Sequence, residues 1–156
     1  MTLPLIALNH AQSQNGVQEI PKNTNSGQAV EKYLLSVGLG KGYAWCMAFV
    51  YWCVSMACKD LKIENPLKRT AGVLDMWNSK PELRVVGCPK PGDIFIMDFG
   101  NGTGHAGFVI AVMPGNILKT IEGNTNDEGS REGYEVCIRH DRKVSQMKGF
   151  LRLKTN

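Results

Sequence analysis

Apolar residues recur at positions 46, 49, 50, 53, 54 and 57, the spacing of one helical face. This predicts a helix from Cys46 to about Cys58, entered through Gly38, Gly40 and Gly42. Upstream, Val30, Tyr33, Leu34 and Val37 share the same spacing and predict a helix capped by Ser26 and ended by Gly38. Thr2 is read as the cap of a first helix, with Pro4 in its first turn, running to about Gln14 and stopping at Gly16. Val17 to Pro21 is a connector. Lys59 to Arg69 is an irregular polar link, and Thr70 caps a short helix through Trp77.

The pattern then changes. Pro91-Gly92-Asp93 is a turn before the short apolar run Ile94 to Met97. After the turn Asn101 to Gly104 comes a strand from His105 to Val112. Pro114-Gly115-Asn116 turns the chain into a third strand, Ile117 to Glu122. A polar loop over 124–133 leads to a fourth strand, Tyr134 to His140, and Gly149 to Leu153 makes a fifth. Helices followed by turn-rich strands predict an α+β fold, N-terminal helices packed on a C-terminal antiparallel sheet.

Hydrophobic content of 43% and charged content of 21% over 156 residues fit one domain with a sizeable core. The net charge of +4 is spread along the chain. Its densest runs, Leu67-Lys68-Arg69 and Arg139-His140-Asp141-Arg142-Lys143, read as solvated faces, not as a nucleic-acid footprint. A mildly basic protein is still drawn to an anionic polymer such as a bacterial cell wall. The five cysteines form no CxxC pair, which argues against a disulfide framework or a zinc site. The N-terminus lacks early Lys or Arg and a long apolar run. The expectation is cytoplasmic synthesis without a signal peptide and no membrane insertion.

Cys46 falls in the first turn of its helix, where unpaired N–H groups and the helix dipole favour a thiolate. A core cysteine is the simpler reading of that position alone. The alternative needs a base and a group that orients it. His105 starts a strand after a glycine turn, Glu122 ends the next strand, and Asn124 follows two residues on. If the two strands pair about Pro114-Gly115-Asn116, His105 and Glu122 become cross-strand neighbours within hydrogen-bond reach. His10, in an amphipathic helix, and His140, in a basic run, have no comparable setting. A metal site built from Cys46 and His105 lacks further clustered ligands. Trp45, Phe49, Tyr51 and Trp52 stand at helical spacing and are read as core, not as a sugar platform.

Four segments resemble the CHAP domains, the cysteine, histidine-dependent amidohydrolases/peptidases related to NlpC/P60 enzymes and, more distantly, to papain. They are Trp45-Cys46-Met47-Ala48-Phe49-Val50, Pro91-Gly92-Asp93-Ile94, Gly104-His105-Ala106-Gly107-Phe108-Val109 and Ile121-Glu122-Gly123-Asn124-Thr125, in that order within 42–126. The N-terminal helices resemble those of small phage endolysins. The resemblance implies a papain-like fold, and the expected organisation is one catalytic domain over 1–156 with residues 1–41 integral to it; no wall-binding domain is expected to follow, since the chain ends with the last predicted strand. It implies Cys46 as nucleophile, His105 as general base and acid, Glu122 as the group orienting His105, and Asn124 as a further polar partner. Tyr43 is a second oxyanion donor, a substrate contact or, more simply, a packing tyrosine.

The implied substrate is the peptide part of bacterial peptidoglycan, cut at the muramoyl–L-alanine amide or inside the stem peptide or cross-bridge. The protein would act as a monomer, without a cofactor, metal, or nucleic-acid partner, on the wall after release or delivery by another system. Lys22 to Gln28 lacks the Asp-rich calcium loop of several endolysins. Asn124 to Glu135 matches an EF-hand loop only loosely, with Asn in place of the first Asp. The rival readings are a cysteine amidase on a soluble amide, as in glutathionylspermidine amidase relatives, and an inactive binding or immunity module on the same fold.

Overall fold

In a computed structural model describing residues 1–125 and 133–154, the apolar stretch that opens at Cys46 is a helix of 16 residues, α3 (Cys46–Leu61). It follows α1 (Leu3–Ser13) and α2 (Gln28–Ser36) and precedes the short α4 (Val73–Ser79). The sheet comprises β1 (Ile94–Gly100), β2 (Thr103–Met113), β3 (Ile117–Thr125), β4 (Glu135–Lys143) and β5 (Gly149–Leu151). Its order is β4-β3-β2-β1-β5, every neighbouring pair antiparallel. The architecture is the α+β arrangement that the order of periodicities predicts.

A helix apolar on nearly every side must be covered on every side. Met47, Ala48, Phe49, Val50, Cys53, Val54 and Ala57 of α3 are fully buried. α1 and α2 cover one flank, β2 and β3 the other. Tyr33 of α2 packs on three of the aromatic residues read as core: stacked on Trp45, edge-on to Phe49 and tilted to Trp52. Strand alternation gives the sheet two apolar faces. Ile94, Ile96, Ala106, Phe108 and Ile121 join the helical core, while Phe95, Met97, Val109, Leu118 and Phe150 form a second cluster.

Several boundaries differ from expectation for local reasons. Gly27, not Ser26, stands at the N-cap of α2, and the Ser26 hydroxyl donates to the Ile20 carbonyl instead. Gly72 takes that place in α4, and the Thr70 hydroxyl accepts the Gly72 N–H. Thr2 sits at the N-cap of α1 but its side chain makes no capping bond. β4 runs three residues beyond His140, while β5 stops at Leu151. The Asn124–Glu135 loop falls largely outside the described residues.

The turn Pro91-Gly92-Asp93 fastens the sheet. Asp93 is 1% exposed, accepts from both Nε and Nη2 of Arg152 at 2.8 Å, and accepts the Lys90 N–H at 2.7 Å. Its backbone carbonyl takes the Val109 N–H. This segment of the resemblance therefore holds the edge beside β5 and takes no part in the thiol site.

Candidate active site

Cys46 is the first residue of α3 and is 5% exposed. Trp45, the preceding N-cap residue, is fully buried, and its indole Nε1–H donates to Glu19 at 2.7 Å. Glu19 is 2% exposed and also accepts the Thr24 N–H. This anchor holds the start of the helix. Gly123 lets β3 come close to it, since a Cβ there would lie 2.7 Å from the Trp45 ring and 3.0 Å from Phe49. The chain that enters α3 is open at its glycines: a Cβ on Gly40 or Gly42 would meet nothing within 4 Å. Tyr43 on that approach is 55% exposed, which corrects its reading as a packing residue.

His105, on β2, is 1% exposed and Glu122, on β3, is 0% exposed. The His105 Nε2–H donates to Glu122 Oε1 at 2.7 Å. An ionised carboxylate only accepts, so Nε2 carries a proton, while Nδ1 is buried with no hydrogen-bond partner among the described residues and is the nitrogen open to proton exchange. The two residues are not directly opposed. The strand register pairs Phe108 with Ile121, and its continuation sets Gly107 against Glu122 with His105 on the diagonal. A Cβ at Gly107 would lie 2.9 Å from Glu122 Cγ and 2.7 Å from Phe95, so the missing side chain makes room for the diagonal reach. Asn124 is also buried beside this segment, its backbone left-handed (φ 60°) where β3 slips against β4.

The electrostatics couple the three groups. Burial pushes the Cys46 thiol up, but the His105 imidazole and the Ala106 and Met47 backbone groups outweigh it, leaving its pKa below that of an ordinary thiol. Burial pulls His105 down, yet the nearby Cys46 sulfur and the hydrogen-bonded Glu122 carboxylate raise it to about 9. Burial likewise raises Glu122, and Arg142 and His105 bring it down to about 2. All three shifts favour thiolate paired with imidazolium beside a fixed carboxylate.

The basic run expected to be a solvated face carries two buried arginines. Arg139 and Arg142 are 7% and 8% exposed. Arg142 Nε donates to Glu122 Oε2 at 2.9 Å and Nη2 to Oε1 at 2.6 Å. The Thr120 hydroxyl donates to Oε2 at 2.6 Å. The sequence signal was hidden because β4 slips against β3 between the pairs Leu118–Arg142 and Thr120–Arg139, which breaks simple alternation. Glu19 was missed because it lies in a connector without periodicity.

His10 bonds Asp60 at 2.7 Å and His140 is exposed, both outside this constellation. A groove of about 920 Å³, lined by Leu5, Arg84, Lys90 and Arg152 among others, holds none of the candidate residues. Among the described residues no cluster of three or more His, Cys, Asp or Glu side chains could hold a metal, and no helix is long and apolar enough to cross a membrane.

A cysteine opening a buried helix, set against a histidine and a carboxylate on an antiparallel sheet, is the arrangement of the papain-like thiol hydrolases. The chain belongs to the CHAP domain family, whose match spans residues 38–124, more than half of it. CHAP domains are cysteine, histidine-dependent amidohydrolases or peptidases that act in general on peptidoglycan. No curated protein and no solved structure gave a significant match to the chain.

Proposed function

We propose that the protein hydrolyses an amide bond in the peptide part of peptidoglycan, at the muramoyl–L-alanine link or within the stem peptide or cross-bridge. The observation that carries this reading is the buried 2.7 Å bond between His105 and Glu122, near a cysteine that opens α3, in a chain of the CHAP family. In this reading the Cys46 thiolate adds to the amide carbonyl. The backbone N–H of Cys46, at the unpaired start of the helix, faces the developing oxyanion. The His105 imidazolium then gives its proton to the leaving amine as the C–N bond breaks, leaving a thioester on Cys46. Water, deprotonated by His105 Nδ1, attacks the thioester and releases the acid and the thiolate. Glu122 holds the imidazole in place and stabilises its charged form. Asn124 is a further polar partner of the site.

The net charge of +4 suits an anionic wall. The protein acts as a monomer and as one catalytic domain over residues 1–156, in the manner of a small endolysin, once released or delivered to the wall. Digestion of defined peptidoglycan by the wild type and by Cys46→Ala, with mass spectrometry of the new termini, tests this. The wild type releases muropeptides with either a free L-alanine amine or a new stem-peptide terminus, and the variant releases none. Equal release by both would rule out the thiol mechanism. Cleavage of a soluble amide with intact walls would favour the glutathionylspermidine amidase-like alternative.

A further inference from the structure

The carboxylate of Glu122 accepts four hydrogen bonds, two at each oxygen. Oε1 takes His105 Nε2–H and Arg142 Nη2–H, and Oε2 takes Arg142 Nε–H and the Thr120 hydroxyl. A carboxylate offers about four lone-pair sites, so the acceptor capacity is filled. A forked guanidinium fixes the plane of the carboxylate as well as its charge. With that plane fixed, the remaining lone pair of Oε1 points at one place, where the imidazole stands.

We propose that Arg142, assisted by Thr120, is a positioning residue of the thiol site, acting through Glu122 to set both the orientation and the proton affinity of His105. The proposal rests on the thiol-hydrolase reading above. Arg142 has two separable effects. Its fork sets geometry. Its charge offsets that of Glu122, so His105 faces a carboxylate whose field is partly cancelled. Among the described residues, the titratable and charged groups around this point are Cys46 from α3, His105 from β2, Glu122 from β3, and Cys137, Arg139 and Asp141 from β4. Arg139 is engaged by Asp141, through bonds of 2.7 and 2.9 Å to its two oxygens, whereas Arg142 is the arginine that reaches Glu122.

Two substitutions separate charge from geometry. Arg142→Lys keeps the charge and gives up the fork. Arg142→Met removes both. The first readout is the pH dependence of Cys46 alkylation by iodoacetamide, which needs no wall substrate. Removing a positive charge raises the pKa of every acid nearby, so Arg142→Met moves the alkylation profile alkaline by about one pH unit. Arg142→Lys leaves the profile in place. The second readout is hydrolysis: Arg142→Lys lowers kcat about tenfold or more with KM little changed, because only the orientation of the base is lost.

Circular dichroism and thermal melts show which variants fold, and Arg142→Lys decides the geometric part alone if Arg142→Met does not fold. Unchanged kcat in folded Arg142→Lys, or an unmoved or acid-shifted profile in folded Arg142→Met, would overturn the proposal. A wild type inactive on walls whose alkylation profile still moves as stated would sink the wall reading and leave the role of Arg142 standing.

Discussion

His105 reaches Glu122 along the diagonal of the β2–β3 pair, across the space left by Gly107. A directly opposed pair would have placed one side chain over the other. The diagonal instead lets the carboxylate extend under the ring while Phe95 packs beside it, 5.8 Å between centroids.

Gly107→Ala tests that relationship. The added methyl would meet Phe95, Glu122 and the Ile121 carbonyl, all within 2.9 Å. Overpacking of this kind costs about 1–3 kcal/mol. Hydrolysis is expected to fall at least about tenfold, since the displaced group is the one that orients the base. Gly40→Ala is the control, because a Cβ there meets nothing within 4 Å. Its stability is expected to stay within about 0.5 kcal/mol of wild type. Urea melts and wall-hydrolysis rates measured on both variants decide the matter.

The Glu122 carboxyl sits well below its ordinary range, at about 2 in the fold. Its unfolded value is about 4.3. A depressed carboxyl contributes stability that is present above the unfolded value and is lost as pH falls through the folded one. Thermal midpoints of the wild type should therefore drop between about pH 5 and pH 2 more steeply than those of Glu122→Gln. Parallel acid limbs would show that Glu122 is not held as an anion. On the alkaline side two groups oppose each other. The contribution of charged His105, full below its unfolded value, fades as pH rises toward about 9, while that of the Cys46 thiolate grows. That limb is expected to be shallow.

Asp93 provides the contrast between fold and chemistry. Its buried carboxylate joins Arg152 and the Lys90 backbone, away from the thiol. Asp93→Asn should lower stability by about 1–3 kcal/mol. In the folded variant, the rate of Cys46 alkylation should stay within about twofold of wild type, less than the ~tenfold that 1.4 kcal/mol represents. A large drop in that rate at unchanged stability would assign the turn to the site itself.

Periodicity alone placed α3, the strands and the order of helices before sheet, because burial on a helix or strand leaves a regular trace. The pairing of His105 with Glu122 was legible from the hairpin about Pro114-Gly115-Asn116, although its diagonal geometry needed the register that Gly107 occupies. Caps were less legible. Ser26 and Thr70 are good capping types, but their hydroxyls found other backbone partners one or two residues early. Arg142 was hidden for a different reason. A slip in β4 carries a residue of a charged run into the interior, and its partner lies 20 positions away. Long-range ion pairs leave no periodic mark in a single chain.

The order in which the cysteines react tests whether Cys46 is the activated nucleophile. Cys88 is exposed, while Cys46 is buried and lies at a helix start against His105. Burial pushes the thiols of Cys53 and Cys58 up. Brief treatment with substoichiometric iodoacetamide at about pH 6, where an ordinary thiol is almost wholly protonated, followed by peptide mapping, ranks the sites. Cys46 is expected to be labelled first, and His105→Ala to abolish this preference. Labelling that begins at Cys88, with Cys46 unmodified in the folded protein, would contradict it.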